Sequence, residues 1–241
     1  MKWNSRTLAT ILAAAAMTAA GVREGLSTEA VLAQEKTPSE EARRLNQSSA
    51  IVSDVLSGEG IRIPDALVKE AVAIAVFPVT PQTPTRRGQG PNTRRAVFMH
   101  GVRARGIMSV RTDGGWSAPA FVTLNGGQAY SGDVVLVIMD RSAVDRILGS
   151  SFEVPSSVVE GPLGSDTRGR VGADAPAAYS YLRLRGKLSG VELDSKMVMH
   201  DSDATQRFYG KPLTAAEAIK QTSGPEGLAA WRAALEKTTP N

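Results

Sequence analysis

The chain contains no cysteine. Disulfide bonds, thiolate catalysis and cysteine-ligated zinc are therefore excluded, and so is a lipid anchor on an N-terminal cysteine. Histidine is nearly absent as well: His100 and His200 are the only two in 241 residues. A catalytic triad or general-base pair built on either would need partners that the spacing does not supply. Aromatic residues make up 5% of the chain, so the core must be built chiefly from Val, Ile, Leu and Ala. There is no Gly-x-Ser-x-Gly elbow, no Walker-type loop and no Gly-x-Gly-x-x-Gly turn following a strand. The expectation is a protein with no catalytic residues, no cofactor and no metal.

One absence is local. Between Glu70 and Asp113 there is no acidic residue and no lysine, yet seven arginines stand there: Arg86, Arg87, Arg94, Arg95, Arg103, Arg105 and Arg111. A planar guanidinium meets phosphate or carboxylate with paired donors. Arginine without lysine therefore suggests anion recognition rather than a generic solubilising surface. The plainer alternative is a basic surface whose arginines pair with acids elsewhere, such as Glu153, Glu160 or Asp174. The net charge of +4 is modest, so its distribution matters more than its total.

What is present at the N-terminus reads as a secretory signal. Lys2 and Arg6 precede the apolar, alanine-rich stretch Leu8–Ala20. That stretch is too short to span a bilayer comfortably, since a helix needs about 20 apolar residues, and no other segment could span one. Val31-Leu32-Ala33 has the small-residue pattern of a cleavage site, and Thr18-Ala19-Ala20 lies closer to the apolar stretch. The organisation expected is a signal peptide at 1–33, a linker at 34–43, a folded domain at 44–210 and a helical tail at 211–241. The expected location is outside the cytoplasm, periplasmic or at the cell envelope.

Thr37-Pro38-Ser39-Glu40 has the form of a capping box, opening a helix to about Leu56 with Leu45, Val52, Val55 and Leu56 on one face and Arg43, Arg44 and Asp54 outward. Core docking suits it better than lying on a membrane, because only two basic residues stand near its start. Asp65–Glu70 fits a short helix, and Ala71–Val79 a buried strand. Val79–Arg95, with three prolines and four arginines, reads as a basic loop. Gly106–Thr112 and Trp116–Leu124 form a hairpin around Asp113-Gly114-Gly115. Pro119 lacks an N–H, so the return strand must be an edge or carry a bulge there. Asp133–Met139 is the clearest buried strand. Ser142–Leu148 fits a short capped helix, and 152–178 reads as loop-rich. Along Tyr179–Arg185, Ser180, Leu182 and Leu184 share one face, and Tyr179, Tyr181, Arg183 and Arg185 the other. His200, Asp201 and Asp203 suit capping and solvated side chains better than a cation site. Thr214-Ala-Ala-Glu217 is a second capping box, and Leu228, Trp231 and Leu235 recur at helical spacing.

Several of these segments together resemble one family. The hairpin Arg103–Leu124, Ile63–Leu67 with Ala73–Pro78, the run YSYLRLRGKLSGVELD from Tyr179, and Phe208-Tyr209-Gly210 stand in the order found in the SYLF-domain family. The resemblance covers roughly Arg44–Gly210. The 79–95 loop reads as an insertion, and Gln128–Gly132 as a shortened segment. The resemblance implies a lipid-binding module, present in eukaryotic actin-patch and endosomal proteins and as exported single-domain proteins in bacteria.

The fold expected is α+β, an antiparallel, barrel-like sheet with short packed helices. The function expected is non-catalytic binding of anionic phospholipids or a membrane surface. Arg103, Arg105, Arg111, Trp116, Tyr181, Arg183 and Arg185 form the candidate lipid-binding set, backed by the basic loop Arg86, Arg87, Arg94 and Arg95. Of these, Arg105, Arg111 and Arg185 lie in segments shared with the family. The competing reading is a protein-interaction domain that binds an envelope protein or polymer without lipid. Nucleic acid is disfavoured, because stacking aromatics are sparse among the basic residues.

Overall fold

The computed structural model describes residues 38–57, 61–79, 103–126, 131–149, 151–153, 158–164, 171–172, 175–193, 196–225 and 227–237. The signal-like segment, Thr37, the basic loop with Arg86, Arg87, Arg94 and Arg95, His100 and residues 128–130 lie outside them. The fold is α+β. Among the described residues there are six helices and one mostly antiparallel, curled half-barrel sheet.

The first helix, α1, spans Glu40–Ser57. Its cap is Ser39, whose Oγ accepts from the Ala42 N–H at 3.1 Å, two residues beyond the Thr37 expected from the sequence. Leu45, Ile51, Val52, Val55 and Leu56 are buried. Arg44 does not face outward as expected. It is 5% exposed, bonded to Glu40 Oε1 at 3.0 Å, with its guanidinium carbon 5.6 Å from the centre of the Phe121 ring. A short helix, α2 (Asp65–Glu70), leads into β1 (Ala73–Phe77), which is buried on both faces.

The central hairpin follows. β2 (Arg103–Thr112) turns at Asp113-Gly114 into the two-residue β3 (Gly115–Trp116), and β4 (Ala120–Asn125) completes the return. Met108 pairs with Ala120 and Arg111 with Trp116, so two residues of β2 face the three residues Ser117–Pro119. This one-residue bulge is where Pro119 stands, as its missing N–H requires. Side chains replace the lost ladder bonds. The Val110 N–H donates to Ser117 Oγ at 2.9 Å, and Ser109 Oγ donates to the Ser117 carbonyl at 3.0 Å. The hairpin is central, not marginal.

β5 (Asp133–Ile138), α3 (Arg141–Gly149), β6 (Ser151–Glu153), β7 (Val158–Glu160), β8 (Ala178–Leu184), β9 (Lys187–Gly190) and β10 (Met197–His200) complete the sheet. The order is β6-β10-β4-β2-β1-β5-β8-β7, with β3 beside β2 and β9 beside β8. β7 is the exception to antiparallel order: it runs parallel to β8. β6 and β7 fall within the stretch expected to be loop.

Three helices close the chain: α4 (Ser202–Tyr209), α5 (Ala215–Ala218) and α6 (Leu228–Glu236). Asp201 caps α4 by accepting from the Ala204 N–H at 3.1 Å, the capping role expected of it. Thr214 and Glu217 form the expected capping box. One face of the sheet, with Ile74, Val76, Ile107, Phe121, Val135, Tyr179 and Tyr181, packs with the buried residues of α1, α2, α4 and α6. The other carries Ala75, Phe77, Met108, Val122 and Leu136 with Ala143, Val144 and Ile147 of α3. Gly106 lies on this second face, beside Met108: a Cβ there would clash with the Phe77 ring and the Val76 carbonyl oxygen, so no larger residue fits between β1 and β2.

His200 gives a pH dependence. Its Nε2 lies 2.9 Å from Thr205 Oγ1, and burial holds its pKa below the ordinary 6.5, against the opposing pull of Asp201. The unfolded chain then binds a proton more readily than the folded one. Stability contributed by neutral His200 is fully present above pH 6.5 and is lost as pH falls from there through the lowered pKa of the folded state. Urea titrations from pH 8 to 5 should show this fall in wild type and a flatter profile in His200→Gln, the difference isolating this residue from His100.

Candidate functional site: the basic end of the sheet

Strand register collects the basic residues at one end of the sheet. Arg103 opens β2 opposite Asn125, the last residue of β4, which in turn faces Met197 at the start of β10. Asp133 opens β5 opposite Arg183 of β8, and Leu184 pairs with Lys187 across the next turn. β1 ends here too: the Val79 N–H donates to Asp133 Oδ1 at 2.8 Å. The 80–102 segment, which carries Arg86, Arg87, Arg94 and Arg95, thus joins the chain at this end through both Val79 and Arg103.

The arginines differ in how far they are committed elsewhere. Arg183 is held by two carboxylates: Nη1 lies 3.0 Å from Asp133 Oδ2, and Nε reaches Asp54 on α1. Burial alone would lower its pKa, but the hydrogen bonds to Asp54 and Asp133 outweigh it and keep the proton on more firmly than usual. Arg105 Nη1 reaches Glu40 Oε1 at 2.7 Å, and that hydrogen bond pulls the Glu40 pKa down. Both side chains of that pair are near half exposed, so it contributes about 0–1 kcal/mol and exchanges readily with another anion. Arg103 and Arg185 are exposed, and their side chains have no ion pair or hydrogen bond with any described residue.

Arg111 has a different task. It lies toward the opposite end of β2, where Nε donates to the Ala71 carbonyl at 2.9 Å and Nη2 to the Val68 carbonyl at 2.7 Å. It thereby caps the C-terminal end of α2, and its guanidinium carbon sits 4.4 Å from the centre of the Trp116 ring. Burial lowers its pKa. Trp116 is 4% exposed and Tyr181 fully buried, its hydroxyl donating to the Pro162 carbonyl at 3.1 Å. The interfacial role expected of these two aromatics does not fit these positions. The alternation read along β8 places Tyr179 and Tyr181 on one face, but that face looks into the core under α1. The candidate set therefore divides: Arg103, Arg105, Arg183 and Arg185 share the basic end, while Arg111, Trp116 and Tyr181 serve the fold.

Sequence reasoning missed the anionic partners Glu40, Asp54 and Asp133 and the exposed members Val79, Leu184 and Lys187 of this end. Gly186 carried a usable signal, because a glycine between two alternating strands suits the positive φ that a tight hairpin loop requires. Among the described residues, no group of three or more His, Cys, Asp or Glu is placed to hold a metal ion. No helix among them is long and apolar enough to cross a membrane.

A protein-family model described as "Ysc84: Las17-binding protein actin regulator" matches residues 121–238. The matched segment begins in β4 and runs through α6, including residues 211–238, which the motif resemblance had left outside. The chain is 30% identical over 121 residues to the SH3 domain-containing YSC84-like protein 1 of Xenopus laevis, covering 44% of this chain and 35% of that protein. Its human counterpart is 26% identical over 132 residues, 49% of this chain and 39% of the relative. An SH3 domain-containing protein of Schizosaccharomyces pombe is 30% identical over 123 residues, 45% and 28% respectively. The chain thus spans well under half the length of these curated relatives. No solved structure matches it. From β4 to α6, over residues 121–238, the chain is similar to the Ysc84 (SYLF) family.

Proposed function

We propose that this protein binds anionic phospholipid surfaces, without catalysis, through the basic end of its sheet, acting after export at the cell envelope. The observation that carries this reading is the convergence of Arg103, Arg105, Arg183, Arg185 and Lys187 at one end of the strands, where Val79 also lies. Each basic group held near an anionic membrane surface contributes on the order of 1 kcal/mol. A few acting together give reversible, salt-sensitive attachment.

The test is flotation of the full chain with vesicles of phosphatidylcholine alone or with 30% phosphatidylserine, across a salt series. The double variant Arg103→Gln/Arg185→Gln runs alongside. Neither arginine has a partner among the described residues, so the variant should melt like wild type. The expected result is binding selective for the anionic vesicles, weakened by salt and reduced roughly tenfold or more in the variant, from about 1 kcal/mol per charge. Equal flotation with both vesicle types, or none, would overturn the reading.

The family's description as an actin regulator favours a second reading, a protein partner held at the same basic end. It predicts capture of a protein that persists without lipid and is also lost in the double variant.

A further inference from the structure

The turn between β8 and β9 is strained, and no contact among the described residues repays the strain. Leu184 pairs with Lys187, which leaves Arg185 and Gly186 as a two-residue loop. Both have positive φ, 51° and 75°. This is the backbone of a type I′ hairpin, which favours asparagine, aspartate or glycine at its first position. Arg185 is the only non-glycine residue with positive φ among the described residues. Its side chain is exposed and touches no described partner, so neither packing nor pairing explains an arginine in the left-handed region.

The neighbours point outward as well. Leu184 is 40% exposed, an unusual state for leucine on a sheet otherwise well covered, and Lys187 is exposed beside it. Val79, 41% exposed, is tied to the same corner through Asp133, which bonds both the Val79 N–H and Arg183. The tip therefore offers apolar side chains flanked by cations on a stiff two-residue turn. A purely ionic partner would use Arg185 and Lys187 and leave Leu184 and Val79 in water. A lipid surface takes both, because its phosphates lie directly above its acyl boundary.

We propose that the β8–β9 turn is a membrane wedge: Leu184 enters the acyl boundary of an anionic bilayer while Arg185 and Lys187 hold the phosphates of adjacent headgroups. This rests on the phospholipid reading above and adds the contacting element and its mode of contact.

The absence of cysteine makes a site-specific probe simple. Leu184→Cys in the full chain, labelled with an environment-sensitive dye, should shift its emission to the blue on vesicles with 30% phosphatidylserine and not on heparin at matched charge. Asp113→Cys, at the opposite end of the sheet, should not shift on either. The second arm is Arg185→Asn. Asparagine suits the turn, so the melting temperature should rise by about 2–4 °C, while binding to the anionic vesicles falls about fivefold. A gain in stability joined to a loss of binding is a signature that a merely structural residue would not give. If wild type floats selectively on anionic vesicles but the dye at 184 stays unshifted, or Arg185→Asn binds as wild type does, the wedge is overturned and the lipid reading stands. If wild type shows no charge-selective flotation, both fall.

Discussion

Trp231→Ala should destabilise the domain by about 3–5 kcal/mol, the range for truncating a large buried aromatic residue. That corresponds to a drop in melting temperature of the order of 10 °C for a chain of this size. Trp231 is fully buried, and its indole N–H donates to Ser109 Oγ at 2.8 Å. Ser109 in turn donates to the carbonyl of Ser117, inside the bulge that Pro119 imposes. Truncation would thus empty a cavity between α6, α1 and the sheet, and would also take one bond from the polar network that replaces the broken ladder. Trp231→Phe separates the two effects, since it keeps most of the apolar contact but offers no donor to Ser109. It should cost less, on the order of 1–2 kcal/mol. Calorimetry on both variants checks the argument. Wild-type melting in Trp231→Ala would show that α6 is not part of the cooperative core.

That network also shows what a sequence can and cannot disclose. The bulge was legible, because a proline between two strand-forming runs has no N–H for the ladder. β5 was legible, since Asp133–Ile138 is an unbroken apolar run after its first residue, and the structure buries it on both faces. The caps at Asp201 and Thr214 were legible for the same local reason: the donor and acceptor lie within three residues of each other. β6 and β7 were not, because three residues carry no periodicity and β7 depends on a parallel partner 20 positions away. Arg44 was misplaced because helical phase gives its angle but not that Phe121 and Glu40 would shelter its charge. Of the arginines in the acid-free interval, Arg103 and Arg105 stand at one end of β2 and Arg111 toward the other. Their availability was beyond reach: Glu40 and Arg105 are 65 positions apart, and Arg183 and Asp54 are 129 apart. Such pairs are set by the fold and not by local pattern.

Arg111→Gln should behave as a stability mutant, at a cost of about 3 kcal/mol, although the sequence places it among the anion-binding candidates. Its guanidinium donates to two backbone carbonyls at the end of α2, which lose their charged donor when the head group shortens. Charge-assisted bonds of this kind are worth about 1.5–3 kcal/mol each, and the contact over Trp116 adds on the order of 0.5–1 kcal/mol. Glutamine is too short to reach both carbonyls and carries no charge for the ring, so part of each contribution survives only through water. The melting temperature should fall by roughly 6–12 °C. Once corrected for the unfolded fraction, anionic-vesicle binding of the folded variant should match wild type. Arg103→Gln predicts the reverse: unchanged melting and weakened flotation, because that side chain is exposed at the other end of β2 with no described partner. Two arginines eight positions apart on one strand therefore separate on two measured axes. If Arg111→Gln instead kept its melting temperature and lost vesicle binding, its place in the fold would be the wrong explanation for its presence. The basic surface would then extend along the whole of β2 rather than stopping at its first turn.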